Sequence, residues 1–512
     1  MKKHLLLITA LILCLLTIFS AVGCGETSWG PIKGGPSKTD AVESNGGMVV
    51  KKGEYIYFVN GVESYTSSNK FGKVVKGSIC RAKESDLSDL QVIVPKIINS
   101  GDQFAGIQIN GNYVYYASPT TSKDKDGKVQ NTYLDFCRTK LDGTGTERLF
   151  YVNDRTTQYR FIEVNGTLYI MYFEPGGNIY SYNTAKKEKK TLVDDASSFY
   201  FSQNIDYNGI FFTRTIVIDE ETEQKEFYNN IYKVTATGEE SLVLSGEPSS
   251  ANVQGYALTI KEHKDNTLFF SKKWGVEGGD LIGYFAIKDS TGADFTDIEN
   301  GLTAAQQRTD ASTFLLASED NIDKIYFLGL DSQNASYGFI KKDEKKGMLI
   351  GKYEADNVTL VLERLNDNTD NTISHFDGTY LYYYSVVEDS DNMGLYRVDI
   401  NTRENLHEDT YRFTSSEFNN AWLKPEIING YMYFANAGKK CYDYVYRFKL
   451  EQFKTDDNGN LVLDGSNNPI PLEGADLKVE LVGKFNKADK EALDSTIASE
   501  EAAASSSTSS SK

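Results

Sequence analysis

Between residues 48 and 485 a three-residue pattern recurs, one aliphatic side chain followed by two that are mostly aromatic. It reads Ile56-Tyr57-Phe58, Val114-Tyr115-Tyr116, Leu168-Tyr169-Ile170, Ile210-Phe211-Phe212, Leu268-Phe269-Phe270, Ile325-Tyr326-Phe327, Leu381-Tyr382-Tyr383 and Met432-Tyr433-Phe434. The interval runs from 42 to 58 residues, the spacing of a repeat architecture rather than of chance. A Gly- or Asn-containing dipeptide precedes most of these triplets: Lys52-Gly53, Asn110-Gly111, Asn165-Gly166, Asn208-Gly209, Asp265-Asn266, Asp377-Gly378 and Asn429-Gly430. Such dipeptides between β-formers predict hairpins, because a type I′ turn needs positive φ at both central residues. Each unit therefore opens with strand A, a tight turn and strand B.

A second pattern follows in most units. It reads Ile79-Cys80-Arg81, Phe136-Cys137-Arg138, Ile179-Tyr180-Ser181, Ile231-Tyr232-Lys233, Leu395-Tyr396-Arg397 and Val445-Tyr446-Arg447, with weaker versions near Tyr284-Phe285 and Phe339-Ile340. This is strand C. A Leu- or Val-rich strand D comes next, as in Thr191-Leu192-Val193, Leu242-Val243-Leu244 and Leu360-Val361-Leu362. Four antiparallel strands in each of eight units predict an all-β fold, a β-propeller of about eight four-stranded blades. The count falls to seven if the irregular fifth or sixth unit is a decoration. The first unit starts at its own strand A and the last ends at its own strand D, so no blade is shared between the chain ends.

The segment 134–149 resembles the I-x-R-x-x-L-D-G-T element of YWTD-type propellers. The whole body resembles the Tyr-rich β-propeller surface lipoproteins of Gram-positive bacteria, a family of unknown function. The resemblance carries fold. It implies an extracytoplasmic, lipid-anchored protein of a bacterial cell membrane.

The first residues agree with that address. Lys2 and Lys3 precede an apolar run, Leu5 to Phe19, and then Ala21-Val22-Gly23-Cys24, which resembles a lipobox. Residues 1–23 read as a lipoprotein signal peptide and Cys24 as the acylated residue, with the bilayer as its partner. Residues 24–47, rich in Gly, Pro and Ser, read as a flexible tether. Residues 48–485 are the propeller, and 486–512 an Ala- and Ser-rich disordered tail.

Composition narrows the chemistry. The 33 Tyr and 27 Phe suit strands that pack ring against ring. A formal charge of -18 repels a phosphate backbone, so nucleic acid is not an expected partner. The five Cys do not form a disulfide framework, and no zinc or P-loop motif occurs. Cys80 and Cys137 hold equivalent positions in neighbouring units and, with Cys441 of the last unit, are expected to be free, buried thiols.

In a propeller the A–B and C–D turns share one face, and the B–C and D–A connections share the other. The A–B turns are short here. The B–C connections are long and varied: 59–77, 117–133, 213–229, 271–281 and 384–393. A site is expected on that B–C/D–A face. The candidate ligand-binding residues are Trp274, in a Gly-rich connection, and two acidic groups. These are Asp219, Glu220 and Glu221, and Glu388, Asp389 and Asp391. Clustered carboxylates bind calcium or form a solvated acidic rim. No cofactor is expected, calcium being the one candidate. The runs at Asp124 and Asp456 lack the EF-hand pattern and read as hairpin turns. The insertion 452–475 falls between strands C and D of the last unit.

The four His, at 4, 263, 375 and 407, offer no base for nucleophile–His–acid chemistry on this face. The reading that follows is a monomeric, non-catalytic propeller that binds a glycan, peptide or protein. The alternative is an extracellular carbohydrate-active enzyme working through a carboxylate pair.

Overall fold

A computed structural model of the chain describes residues 32–482, except 61–76, several positions in 97–105, 124–128, 203, 205, 218–226, 250–254, most connections between strands from 265 to 444, and 473–477. All regular structure in it is β, in eight separate antiparallel sheets, each formed by one contiguous stretch of chain. The fold is the β-propeller that the repeats predict.

Blade 1 comprises strands A (Val49–Lys52), B (Tyr55–Val59), C (Ile79–Lys83) and D (Asp86–Val94). Blade 2 comprises Gln108–Asn110, Tyr113–Lys123, Val129–Lys140 and Glu147–Val152. Blade 3 comprises Tyr159–Val164, Thr167–Glu174, Asn178–Asn183 and Glu188–Val193. Blade 4 comprises Ser198–Phe201, Ile210–Val217, Phe227–Val234 and Glu240–Leu244. Blade 5 comprises Ala257–Lys264, Thr267–Val276, Gly279–Asp289 and Phe295–Gly301. Blade 7 runs from Asn371–Phe376 to Thr410–Arg412. Blade 8 comprises Glu426–Ile428, Tyr431–Ala435, Val445–Lys449 and Val479–Leu481.

In blade 6 strand C is Gly347–Glu354, paired with Leu360–Asn366, rather than the weaker match near Phe339-Ile340. A short extra strand, Lys341–Asp343, lies on its other edge.

The turns follow the sequence with a refinement. Asn165-Gly166 and Asn429-Gly430 are two-residue loops with both φ positive. In blades 1 and 2 the loops are Gly53-Glu54 and Gly111-Asn112, so glycine leads the loop. Asn208-Gly209 closes no tight hairpin, because strand A of blade 4 ends at Phe201 and pairs it with Ile210.

In blade 3 strand A is buried and the strand D edge exposed, which orders that blade from the ring centre outward. Between neighbouring blades lie the apolar cores. One joins Val50, Tyr57 and Ile79 of blade 1 to Ile109, Val114 and Tyr116 of blade 2. Another joins Ile56, Phe58 and Cys80 of blade 1 to Ile428, Tyr433 and Val445 of blade 8, and so closes the ring. Asn429 adds a hydrogen bond to Glu84 across that same seam.

The composition of 24–47 predicts a loose tether. Its described part, from residue 32, is instead laid on the propeller as a strap. Val42–Glu43 pairs with Lys52 and Lys51 as a fifth, innermost strand of blade 1. Asn45 exchanges two hydrogen bonds with the backbone of Ile109, and Ile32 N–H donates to the Asp142 carbonyl. A polar, Gly-rich segment is held here because the inner edge of strand A offers it backbone partners.

Candidate functional site

In blades 2, 4 and 5 the B–C connections expected as loops are built largely of paired strand. In blade 2 strands B and C continue to Lys123 and from Val129, still paired. In blade 4 they pair out to Val217 and Phe227, and in blade 5 out to Val276 and Gly279. The connection 271–281 is therefore a hairpin, not a Gly-rich loop. Trp274 lies in strand B of blade 5, paired with Leu281. Asp219, Glu220, Glu221, Glu388, Asp389 and Asp391 lie outside the described residues, as do Cys24 and its lipobox.

At the inner end of the blade 2 hairpin a cluster forms that sequence reading missed. Tyr133 and Asp135 of strand C face Arg148 and Tyr151 of strand D. The Tyr133 and Tyr151 rings meet edge to face, with centroids 5.7 Å apart. Arg148 lies over the Tyr151 ring, 5.5 Å from its centroid, and its Nη1 is 3.6 Å from Asp135 Oδ1. Tyr151 is 53% exposed, whereas the Asp135 side chain is 14% exposed.

Residues 148 and 151 of a regular strand would point to opposite faces. A bulge brings them together: Phe136 pairs with Phe150 but Cys137 pairs with Arg148, leaving Leu149 extra. The same shift occurs at Ile79/Cys80, Ile179/Tyr180 and Ile231/Tyr232. The bulge is thus a property of the repeat, and the exposed Tyr is what blade 2 adds to it.

A cleft of about 240 Å³ opens on the A–B/C–D face, between the strap at Gly34–Pro36 and Lys140, Leu141 and Asp142 of blade 2. Two of its charged groups, Arg81 and Asp142, are already engaged. Arg81 donates to the Lys33 and Gly34 carbonyls, and Asp142 accepts from Thr144.

Ser202 and His263 form the one described pair that outwardly suits nucleophilic chemistry, with Oγ 2.7 Å from Nδ1. His263 is fully buried beside Tyr207 and Phe211, near the A–B turn of blade 5. Burial, with Lys233 nearby, pushes its pKa down to about 3. A neutral imidazole without access for substrate is a packing element.

Asp456 shows how the calcium-like run at 456–460 is used. Its Oδ1 accepts from the N–H groups of Asn458 and Asn460, which makes the run a turn. Among the described residues no group of three metal-ligating side chains converges. Cys80 and Cys137 are buried and in no disulfide, and burial raises the Cys80 thiol to about 12.

No protein-family model and no curated protein matches the sequence. Similar solved structures include a Mycobacterium tuberculosis puromycin-hydrolyzing peptidase, 9% identical, covering 72% of this chain and 52% of its own, with a TM-score of 0.37. A Pyrococcus horikoshii acylaminoacyl peptidase is 12% identical over 69% of this chain and 52% of its own, TM-score 0.34. A Vibrio parahaemolyticus oligogalacturonate lyase is 10% identical over 66% of this chain and 86% of its own, TM-score 0.33. The chain spans about half the length of the two peptidases. These likenesses assign no residue and no substrate. They do correct one expectation: the similar propellers are enzymes, so the reading of a propeller without catalysis is withdrawn.

Proposed function

We propose that this chain is a lipid-anchored, extracytoplasmic enzyme acting on a glycan, with Cys24 as the acylated residue and the B–C/D–A side as its working side. The observation that carries the reading is the exposed Tyr151 ring, buttressed by Tyr133 and flanked by Asp135 and Arg148. An exposed aromatic face offers an apolar platform to the C–H face of a sugar. A carboxylate and a guanidinium at its edge suit the hydroxyl groups.

Glycoside cleavage through carboxylates takes a pair about 5–10 Å apart. Asp135 is one carboxylate at the platform. Asp154, in the D–A connection three residues beyond Tyr151, is the second candidate on this side. It is partly exposed, and its Oδ1 accepts from the N–H and O–H of Thr156. The resemblance to Tyr-rich surface lipoproteins supports the address, and the Lys2-Lys3 to Cys24 run supports the anchor.

The test is release of reducing ends from peptidoglycan, xylan and oligogalacturonate by the purified protein. Tyr151→Ala is expected to raise KM about tenfold or more, as loss of one stacking contact would. Asp135→Asn and Asp154→Asn are expected to lower kcat with little change in KM. If no glycan is cleaved, or cleavage survives both neutralised carboxylates, the proposal fails. Loss of labelled acyl groups in Cys24→Ala checks the anchor separately.

A further inference from the structure

The C–D insertion of blade 8 is a small closed structure of its own. Phe453–Asp456, Leu461–Asp464 and Pro469–Leu472 recur at intervals of eight residues. They bond head to tail in a cycle: Lys454 N–H to Ile470 O, Val462 N–H to Lys454 O, and Ile470 N–H to Val462 O, at 2.8, 2.9 and 3.0 Å. Asp456 and Asp464 each fold the next turn through their Oδ1. Gln452 locks the base, bonding Lys449, Leu472 and Lys478. With its backbone satisfied internally, this knob stands without a large core, and it holds Leu461 and Leu463 in solvent, 52% and 48% exposed.

The knob starts at Leu450, whose N–H donates to Gly430 of the A–B turn. It therefore rises from the A–B/C–D face. The strap meets the same face at the neighbouring seam. Ile32 bonds the C–D turn of blade 2, Gly34 bonds Arg81, and Glu84 of the blade 1 C–D turn bonds Asn429 beside the knob's base. Cys24 precedes Ile32 by only eight residues, a reach of about 28 Å at full extension.

From this placement we infer that the A–B/C–D face is apposed to the bilayer, and that Leu461 and Leu463 enter the lipid interface. The inference rests on the acylated Cys24 proposed above. A short tether on one face brings that face to the membrane. Side chains held rigidly outward on the same face are already desolvation-ready, and apolar contact at an interface reaches about 5–10 Å into the headgroup boundary. Lys454 stands against Asp456, Asp457 and Asp464 on the knob, so charge does not draw it to anionic lipid. The acyl chains supply affinity and the leucines set orientation. The opposite face, with its hairpins and the Tyr151 platform, then points outward.

The experiment uses the full lipidated protein in vesicles of phosphatidylethanolamine and phosphatidylglycerol. A bimane probe is placed on Leu463→Cys, and on Asn153→Cys in the D–A connection as the opposite-face control, both in a Cys441→Ser background. Lipids brominated near the headgroup are expected to quench the 463 probe several-fold and leave the 153 probe unchanged. Quenching at 153 alone, or at neither position, overturns the orientation while mass spectrometry still shows an acylated Cys24. An unacylated Cys24 overturns the anchor reading and the orientation together. A 463 signal that changes with protein concentration in the absence of vesicles assigns the leucines to a second copy of the chain and overturns the membrane contact.

Discussion

A recurring row of side chains crosses three of the blades in the same register. Tyr57, Arg81 and Gln91 align in blade 1, Tyr115, Arg138 and Glu147 in blade 2, and Tyr433, Arg447 and Glu480 in blade 8. Each Arg also lies over the Tyr two residues earlier in strand B, at 4.5, 4.7 and 4.4 Å from Tyr55, Tyr113 and Tyr431. Stacking and a strand D acceptor let a buried guanidinium survive in the sheet. The triplet patterns made the Tyr and Arg visible in sequence. Their partnership was not, since it depends on which strand D residue the bulge sets opposite. His263 is a further residue whose environment was invisible. Its pKa lies below the unfolded value near 6.5, so between those values the unfolded chain holds the extra proton. The stability from keeping it neutral is complete above pH 6.5 and declines as pH falls toward 3, by on the order of 5 kcal/mol. Denaturant midpoints across that range should fall less steeply for His263→Gln than for the natural protein.

The strands were legible from the alternation of apolar side chains and the turn dipeptides. One feature of the sequence resisted that rule. Strand D carries consecutive apolar residues, Val92-Ile93-Val94 and Leu242-Val243-Leu244, where a half-exposed strand needs only every second one. The shift opposite strand C explains it, because Ile93, Leu149, Leu192 and Val243 are the extra residues. Composition misled at two elements. The Gly-rich 271–281 is hairpin because its strands pair to within two residues of each other. The Gly- and Pro-rich strap is ordered by its pairing on the inner edge of blade 1 and by a second hold at Arg81, which faces Gln91 where the sister rows carry Glu. The Arg81 Nη2 turns instead to the Lys33 and Gly34 carbonyls, at 3.2 and 3.0 Å. Arg81→Gln is expected to cost about 2 kcal/mol in urea unfolding, the scale for a charged donor leaving buried acceptors. Limited proteolysis should then cut within 32–47 before any blade is lost. A strap that stays as resistant as before would show that the Val42–Glu43 pairing alone holds it.

At the scale of the molecule the ring is closed mainly by packing, with the Asn429–Glu84 hydrogen bond at the edge of the seam. Blade 8 meets blade 1 through Ile428, Tyr433, Val445 and Val482 against Ile56, Phe58 and Cys80. Tyr433→Ala would remove a fully buried ring from that seam, at about 3–5 kcal/mol by analogy with other buried aromatics. Cys80 lies in this seam and Cys137 in the next one, between blades 1 and 2. A thiol reagent should therefore label Cys80 faster in Tyr433→Ala while Cys137 stays slow, which separates opening of one seam from global unfolding. Equal acceleration at both would mean that the ring opens only by unfolding. The absence of a shared blade was readable from where the first and last units start and stop. The seam contacts were not, because residues 56 and 433 are distant in the chain.

Because each sheet is one uninterrupted stretch of chain, hereditary change in this molecule can proceed in whole blades. Duplicating or deleting one unit would leave every remaining sheet complete, and the break would fall between wedges that touch through apolar side chains and a few side-chain hydrogen bonds. The number of blades is then fixed by how wide a wedge each pair of neighbours makes, not by any covalent clasp. A circular permutant opened between blades 4 and 5 would likewise cut no hydrogen-bonded ladder. The knob, closed on its own base at Gln452 and Lys478, belongs to the same economy: a self-sufficient piece that a lineage could acquire or discard without redrawing the ring.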